Sequence, residues 1–435
     1  MTAVLLLGFV VLMLAGVPVA LAMIVASLAY VMLSGTVPDF VVIHRMYGGI
    51  DSFPLLAVPF FILAGNLMNS AGITNRIYNF ALALVGWLKG GLGHVNIVGS
   101  MIFAGMSGTA IADAAGLGTI EIKAMQDHGY PIDFSVGVTA ASATLGPIIP
   151  PSLPFVIYGM MAGVSIGQLF LAGVIPGIVM GVFMMATVSW YAHRRGYGRD
   201  ATFAWSALLR TFTDAFLAMM TPVILLGGMT FGVFTPTEGA IIASAYALIL
   251  GLAWYRTLDW RMLVKISMDT IETTATVLFI VAAASIFGWL LTVTRVTDAV
   301  AAWVLAFTHA PWEFLLLANV LMLVVGCFLE PVAAITLLVP ILVPICQKLG
   351  IDLVHFGLVM VLNLMIGLLH PPLGTVLFVL SRTAKLSVER TTMAILPWLV
   401  PLFAALIVCT YVPEIVLWLP KHSAAMTEAV GNFFK

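Results

Sequence analysis

Charged residues are what this sequence has least of. They make up 9% of its 435 residues, whereas soluble domains carry roughly 25%. Hydrophobic residues account for 62% of the chain, and the mean hydropathy is +1.13. Because so few charges cannot cover a soluble surface of this size, the composition predicts a protein that crosses a membrane several times.

Other absences exclude whole classes of function. The sequence has no Gly-x-x-x-x-Gly-Lys-Ser/Thr stretch to hold a nucleotide phosphate, and a net charge of −1 offers no basic surface to nucleic acid. Cys327, Cys346 and Cys409 lie in apolar segments without Cys-x-x-Cys spacing, so we interpret them as small core residues. Residues 1–33 contain no Lys or Arg, which favours a retained first span over a cleaved signal.

Two interrupted apolar runs are the most informative feature that is present. Each run could cross a bilayer, but each contains a glycine and two adjacent prolines: Gly146, Pro150 and Pro151 in the first, Gly367, Pro371 and Pro372 in the second. Paired prolines beside a glycine unwind a helix and free its backbone carbonyls. Within a membrane such groups must be buried in protein or line a cavity, and paired broken helices mark the site of many secondary transporters.

Two further apolar stretches are predicted to be re-entrant hairpins. Residues 94–127 are interrupted at 105–109, and residues 311–348 are interrupted at Glu330-Pro331. In the first stretch each half is shorter than the roughly 20 residues that a membrane span requires, and we interpret the second stretch as a similar hairpin. The two halves of each stretch should therefore enter and leave the membrane on the same side.

These segments divide the chain into five predicted parts. They are a first span over 3–34, with a kink expected at Pro18, and its connection, within residues 1–52; a first repeat, 53–196, with hairpin 94–127 and broken helix 132–163; and central scaffold spans with an interfacial helix over 259–272, within 197–272. The rest is a second repeat, 273–420, with a span over 273–293, hairpin 311–348, broken helix 353–380 and a last span over 393–419, followed by a C-terminal tail, 421–435. The basic cluster His193-Arg194-Arg195 places that end of the first repeat in the cytoplasm.

The two repeats match at a constant offset. Gly146 pairs with Gly367, Pro150 with Pro371 and Pro151 with Pro372, each 221 residues apart (367 − 146). The predicted spans place an odd number of crossings between equivalent points, so the repeats should be inverted. The expected fold is an all-α polytopic membrane protein with inverted repeats, two re-entrant hairpins and two broken transmembrane helices, of the elevator type.

Oxygen-rich residues at the interruptions are the candidate substrate and ion site. They are Ser107, Gly108, Thr109, Asp113, Ser142, Thr144, Gly146, Pro150, Pro151, Glu330, Asn363, Gly367, Pro371, Pro372, Gly374 and Thr375. Within this set we expect Na⁺ at Ser107, Thr109, Gly146, Gly367 and Thr375, because a hard cation prefers hydroxyl and carbonyl oxygens.

Several of these roles have an alternative. Asp113 is an intramembrane carboxylate that either serves the site or orients the hairpin tip by hydrogen bonds. Glu330 binds an ion, pairs internally or caps a half-helix. For Ser142, Thr144, Asn363 and Thr375, a plain interhelical hydrogen bond is an equal alternative.

Four stretches carry a family resemblance: VPFFILAGN at 58–66, FAGMSGTAIAD at 103–113, GPIIPPS at 146–152 and FTPTEGA at 234–240. In them the chain resembles the large membrane subunit of the tripartite ATP-independent periplasmic (TRAP) transporters, of the ion transporter superfamily. The resemblance implies a sodium-driven importer of organic acids such as sialic acids or C4-dicarboxylates in the bacterial inner membrane. It also implies two partners, a small four-helix membrane subunit as a separate chain and a periplasmic substrate-binding protein.

Two rival functions remain at this point. One is a stand-alone sodium-coupled dicarboxylate symporter with the same fold and no binding protein. The other is an intramembrane serine protease, because residues 105–108 read Gly-Met-Ser-Gly and would place a nucleophile at Ser107. The protease hypothesis requires neither the repeat nor the paired Pro-Pro interruptions.

Overall fold

The protein is built from helices packed around two interrupted ones. A computed structural model describes residues 2–35, 37–308, 310–371 and 374–433. Within these ranges the regular structure is helical, apart from one isolated antiparallel bridge between Lys89 and Arg199. The expected all-α class is therefore confirmed.

The N-terminal region forms a helical hairpin where one span was expected over 3–34. Helix α1 is Thr2–Leu14 and α2 is Val19–Ser34. Between them Gly16 adopts a φ of +83°, which ends α1, and Pro18 precedes α2. A Cβ on Gly8 would lie 4.0 Å from that of Ala26, so the two helices run side by side. A glycine in the left-handed conformation reverses the chain, whereas proline alone would only have kinked it.

The first half of the molecule continues with short and long helices in turn. They are α3 (Phe40–Ile50), a 3₁₀ turn (Phe53–Leu56), α4 (Ala57–Ser70), α5 (Ile73–Val85), α6 (Gly91–Ser107), α7 (Ala110–Ala115), α8 (Leu117–Asp127), α9 (Ile132–Ala143), α10 (Leu153–Ala162) and α11 (Ile166–Arg195). The chain leaves helical geometry between α6 and α7 and between α9 and α10. Both interruptions fall where the sequence predicts them.

The centre of the chain contains a longer helix than expected. Here lie α12 (Trp205–Thr230), α13 (Pro236–Ile249) with a π-helical end (Leu250–Trp254), and α14 (Trp260–Val293). The predicted interfacial helix over 259–272 and the span over 273–293 are one continuous helix, so the proposed boundary after residue 272 falls inside α14. This stretch has no proline, and its one glycine, Gly288, lies near its end, so nothing in the backbone breaks it.

The second half of the described chain is also helical. It comprises α15 (Val296–Phe307), α16 (Pro311–Gly326), α17 (Pro331–Lys348), α18 (Leu353–Gly367), α19 (Thr375–Ala384), α20 (Val388–Tyr411) and α21 (Pro413–Phe433). The predicted tail over 421–435 is helical as far as Phe433. The expected last span, 393–419, is divided between α20 and α21, which meet at Val412 and Pro413.

The interrupted helices α9 and α18 form the centre of the packing. Every residue from 134 to 143 and from 354 to 367 is buried. Glycines permit this depth: a Cβ on Gly137 would lie 2.4 Å from the Ala394 carbonyl oxygen, and one on Gly357 would lie 2.3 Å from the Tyr158 ring. Seven helices in the described part of the chain are long and apolar enough to cross a membrane. The first interruption therefore lies inside protein, as a membrane requires, whereas the second reaches the surface at Pro371.

Candidate functional site

The first hairpin turns at a glycine flanked by two hydroxyl residues. Helix α6 ends at Ser107, Gly108 has a φ of +65°, and the Thr109 side chain accepts a hydrogen bond of 3.2 Å from the Ala112 N–H. Only glycine adopts this left-handed backbone without strain. The Thr109 cap starts α7, and the Thr109 carbonyl accepts from the Asp113 N–H at 3.3 Å, so the tip has a defined geometry.

The first broken helix leaves nine residues, 144–152, between α9 and α10. At its end the Ser152 hydroxyl accepts from the Phe155 N–H and caps α10. Near its start Thr144 donates to the Ala141 carbonyl at 2.6 Å, and Ser142 donates to Asn96 at 2.6 Å. Ser142 and Thr144 therefore donate to protein acceptors in this conformation, while their oxygen lone pairs still have room to accept.

The hairpin tip lies directly against the broken helix. A Cβ on Gly108 would lie 2.8 Å from the Pro151 carbonyl oxygen, and one on Gly146 would lie 3.0 Å from the Thr109 carbonyl oxygen. A Cβ on Gly65, in α4, would lie 3.1 Å from the Ser107 carbonyl oxygen. Glycines on three segments thus admit a close approach of backbone carbonyls, which is what a cation site built from carbonyl oxygens needs.

The second hairpin and the second broken helix meet in the same way. A Cβ on Gly367, at the end of α18, would lie 2.8 Å from the backbone of Gly326, at the end of α16. One on Gly374 would lie 2.4 Å from the Leu368 carbonyl oxygen. Asn363 donates to both oxygens of Asn319, so it ties α18 to α16. Pro371 is exposed, and Pro372 lies outside the described residues.

A small cavity of about 50 Å³ lies where all four interrupted segments meet. Its wall includes Gly108 and Thr109 from the first tip, Pro147 from the first broken helix, Glu330 from the second tip and Leu368 from the second broken helix. Segments more than 200 residues apart in sequence are brought together here. Of the predicted site residues, Gly108, Thr109 and Glu330 line this cavity, and the other described ones are not part of its wall.

Two predicted sodium ligands carry unused oxygens. Ser107 Oγ and Thr375 Oγ1 are buried and have no hydrogen-bond partner among the residues that the structure describes. One belongs to the first hairpin and the other begins α19, after the second interruption. An unsatisfied buried hydroxyl is costly, so each is free to bind a ligand that the protein itself does not supply.

A buried carboxylate was missed by the sequence reasoning. Glu121 on α8 is 1% exposed, as is Asp113 on α7. The signal was present, because Glu121 lies in the same predicted re-entrant stretch as Asp113 and an intramembrane carboxylate is a functional candidate by default. The sequence did not indicate that Glu121 is buried, because a charged residue only two positions later, Lys123, is exposed on the same helix.

Comparison with known proteins was made at the level of sequence and of fold. A family model described as "Tripartite ATP-independent periplasmic transporter, DctM component" matches residues 6–415. The sialic acid TRAP transporter large permease SiaM of Vibrio cholerae is 45% identical over 414 residues, covering 95% of this chain and 97% of that protein. The C4-dicarboxylate TRAP transporter large permease DctM of Rhodobacter capsulatus is 34% identical over 436 residues, covering 97% and 99%.

One solved structure extends the comparison to the fold. The YdaH transporter of Alcanivorax borkumensis has a TM-score of 0.61 at 16% identity, and the match covers 86% of this chain and 88% of that one. At this identity the likeness concerns the fold alone.

Proposed function

The chain belongs to the family of TRAP transporter large permeases, the DctM component, and from that premise we propose that it is the transport subunit of a sodium-driven importer of organic acids. The observation that carries the proposal is the cavity at the junction of both hairpin tips and both broken helices. A site bounded by all four interrupted segments is closed by either hairpin and opened by its movement, which is the requirement of alternating access.

Sodium is the proposed coupling ion because the candidate oxygens near the cavity and the helix breaks fall into two sets. Ser107, Thr109 and Gly146 lie at the first tip and broken helix, and Gly367 and Thr375 lie at the second. Ser107 and Thr375, whose hydroxyls have no partner among the described residues, are divided between these sets. Hydroxyl and carbonyl oxygens without thiolate or imidazole suit a hard monovalent cation.

The substrate is proposed to be a small organic acid held without a basic side chain. The residues that line the cavity include Glu330 as their one charged group. The acid group of the substrate would therefore meet bound Na⁺ and backbone N–H groups, while Glu330 would accept hydrogen bonds from hydroxyl or amide groups elsewhere on it. That pattern suits a sugar acid better than a plain dicarboxylate, and a relative at 45% identity is named for sialic acid.

We further propose the setting of a TRAP system: the bacterial inner membrane, a small four-helix membrane subunit and a periplasmic substrate-binding protein. Membership in the large-permease family supports these partners. The same membership and the fold of the site argue against a protease at Ser107. A stand-alone symporter of this fold would transport without any binding protein, and the reconstitution below separates it from the proposal.

Uptake into proteoliposomes that contain the chain and both partners should require Na⁺ and the binding protein, and should not require ATP. The test is uptake of radiolabelled sialic acid and succinate with Na⁺ or with K⁺ outside. Equal uptake in K⁺ contradicts sodium coupling, and uptake without the binding protein supports the stand-alone symporter.

A matched pair of serine variants tests whether Na⁺ binds at Ser107. Ser107→Ala should raise the Na⁺ concentration for half-maximal uptake by roughly tenfold, since one lost oxygen ligand is worth about 1–2 kcal/mol. Ser135→Ala is the control, because Ser135 is also buried but donates to the Pro131 carbonyl near the start of α9. Equal Na⁺ dependence in the two variants would remove Ser107 from the proposed site.

A further inference from the structure

A second cavity, of about 260 Å³, lies where α9 and α20 begin and α11 ends. Its charged wall residues are Asp133, Arg195 and Arg390, and its aromatic ones include Tyr191 and Trp398. Among the described residues, it shares none of its wall with the cavity at the hairpin tips. The transport function proposed above therefore gives this second cavity no role.

The wall of this second cavity has an excess of positive charge. Arg390 donates from Nε to one Asp133 oxygen at 2.8 Å and from Nη2 to the other at 3.4 Å, so these bonds use two of its three nitrogens. Arg195 has no carboxylate partner among the described residues. It donates to the Tyr197 hydroxyl at 3.4 Å, and its guanidinium lies 5.0 Å from the Tyr191 ring centre. One unbalanced guanidinium beside a second one with a spare donor suits an oxyanion of single charge, such as a phosphodiester.

Packed aromatic rings form the floor of the second cavity and locate it relative to the membrane. The Trp398 ring is buried and stacks on the Tyr191 ring, with 5.9 Å between centres and 16° between planes. Phe134 packs edge-on against both rings. Trp190 packs edge-on against Tyr191 and is itself exposed. An exposed tryptophan beside the basic cluster at 193–195 is typical of the membrane–water boundary on the cytoplasmic side.

An exposed apolar stripe leads away from the second cavity along α20. It starts at Met393, which lines the cavity. The exposed apolar residues of this stripe are Met393, Leu396, Val400 and Ile407. Their spacing of three, four and seven residues keeps them on one face of the helix. Because α20 is long and apolar enough to cross a membrane, this face is suited to lipid acyl chains.

We propose that the second cavity binds the headgroup of an anionic phospholipid, whose phosphate accepts from Arg195 and Arg390 and whose acyl chains lie along the α20 stripe. A zwitterionic phospholipid also has a phosphate, but its ammonium group is repelled by the arginines and leaves the charge of Arg195 unbalanced. The bound lipid connects α11 and α20 to α9, the first half of the first broken helix, since all three contribute to the wall. Such binding depends neither on the coupling ion nor on the substrate, so it stands apart from the transport function proposed above.

Lipid binding is measured on the purified full chain in detergent, without any transport assay. Native mass spectrometry follows a titration with dioleoylphosphatidylglycerol or with dioleoylphosphatidylcholine. One phosphatidylglycerol should bind ahead of the others and raise the melting temperature by a few degrees, since a ligand of the folded state stabilises it. Phosphatidylcholine at the same concentration should do neither. Equal binding and equal stabilisation by the two lipids would overturn the proposal.

Two neighbouring arginines provide a matched pair of variants. Arg195→Gln should weaken phosphatidylglycerol binding by roughly tenfold, because a charge-assisted contact to the phosphate is lost. Arg194→Gln is the control and should bind like the parent: it removes the same charge, and Arg194 lies over the Trp190 ring at the same 5.0 Å, but it does not line the cavity. Melting temperatures without added lipid check that both variants fold. Equal losses in the two would attribute binding to the general basicity of this helix end and refute the site.

A third variant changes binding in the opposite direction. Asp133→Asn keeps both arginines and removes the carboxylate that occupies two nitrogens of Arg390. It should strengthen phosphatidylglycerol binding severalfold, because those donors then turn to the phosphate. A purely structural role for the Arg390–Asp133 pair gives no such gain. Unchanged or weaker binding by a folded Asp133→Asn protein would contradict the proposed contacts.

Inorganic phosphate distinguishes a lipid from a soluble anion as the occupant. Phosphate offers the same oxygens without acyl chains, so an excess of it should leave the phosphatidylglycerol bound and should not raise the melting temperature by itself. Displacement of the lipid by phosphate, with a stabilisation by phosphate alone that Arg195→Gln abolishes, would make the cavity a site for a soluble anion. That result would overturn the assignment to a lipid.

Discussion

At the scale of single residues, glycines decide how close the backbones of the site approach. Gly108 combines a φ of +65° with a neighbouring carbonyl, that of Pro151, which lies 2.8 Å from where a Cβ would stand. Gly163 has nearly the same backbone, with a φ of +68°, but nothing lies within 4 Å of its Cβ position. Gly108 and Gly163 thus share a left-handed backbone and differ in what faces them.

This difference gives a test of the hairpin tip. Gly108→Ala should reduce uptake by roughly tenfold to a hundredfold, because the tip must move away from the broken helix and misplaces the ion ligands. Gly163→Ala meets the same backbone strain of about 1–2 kcal/mol without the contact, and should transport normally. Initial uptake rates and melting temperatures of both variants check this. Similar losses of uptake in the two would attribute the effect to backbone strain alone.

At the scale of elements, caps and breaks determine where helices begin. Thr235 starts α13 with a reciprocal cap: its hydroxyl accepts from the Glu238 N–H, and the Glu238 carboxylate accepts from the Thr235 N–H at 2.8 Å. Glu238 thus lies in a conspicuous Thr-Pro-Thr-Glu motif that serves to start a helix. This motif contributes to the family resemblance without being part of the cavity.

Removing this cap should affect stability and not transport. Thr235→Ala should lower the free energy of unfolding by about 1 kcal/mol, since the side-chain half of the cap is lost. Thr235→Ser retains the hydroxyl and should behave like the parent. Thermal melts and the Na⁺ dependence of uptake on the same preparations provide the measurement. A changed Na⁺ dependence in Thr235→Ala would contradict a purely structural role.

At the scale of the whole molecule, the orientation of the two halves in the membrane stays a prediction. Lys89 precedes the first hairpin and Lys348 ends the second, and both are exposed. If the repeats are inverted, these residues lie on opposite sides of the membrane. Arg199 pairs with Lys89 through an isolated bridge, so those two residues lie on the same side.

Single cysteines at these positions test the orientation. In a background without Cys327, Cys346 and Cys409, Lys89→Cys should react with a membrane-impermeant reagent only from the cytoplasm, and Lys348→Cys only from the periplasm. Arg199→Cys is the control and should match Lys89→Cys. Reaction of Lys89→Cys and Lys348→Cys from one side would refute the inverted arrangement and, with it, the proposed sidedness of the hairpins.

The sequence by itself determined the class of protein, the places where helices break and the family. Those properties are local: hydropathy reports a membrane environment, and Gly108, Pro150 and Pro151 set backbone conformations that no partner segment is needed to explain. The N-terminal hairpin was misread as a single span because a kink at Pro18 and a reversal at Gly16 differ only in a backbone angle.

Only the tertiary structure decided which broken segments share a cavity and which polar groups lack partners. Glu330 and Thr109 line the same cavity because two helix pairs far apart in sequence pack together. Glu121 is buried against α6 because Gly99 there has no side chain, and a Cβ on Gly99 would lie 3.0 Å from Glu121 Oε1. Such contacts depend on the relative positions of whole helices, which hydrophobic periodicity does not encode, since an apolar surface packs equally well against many others.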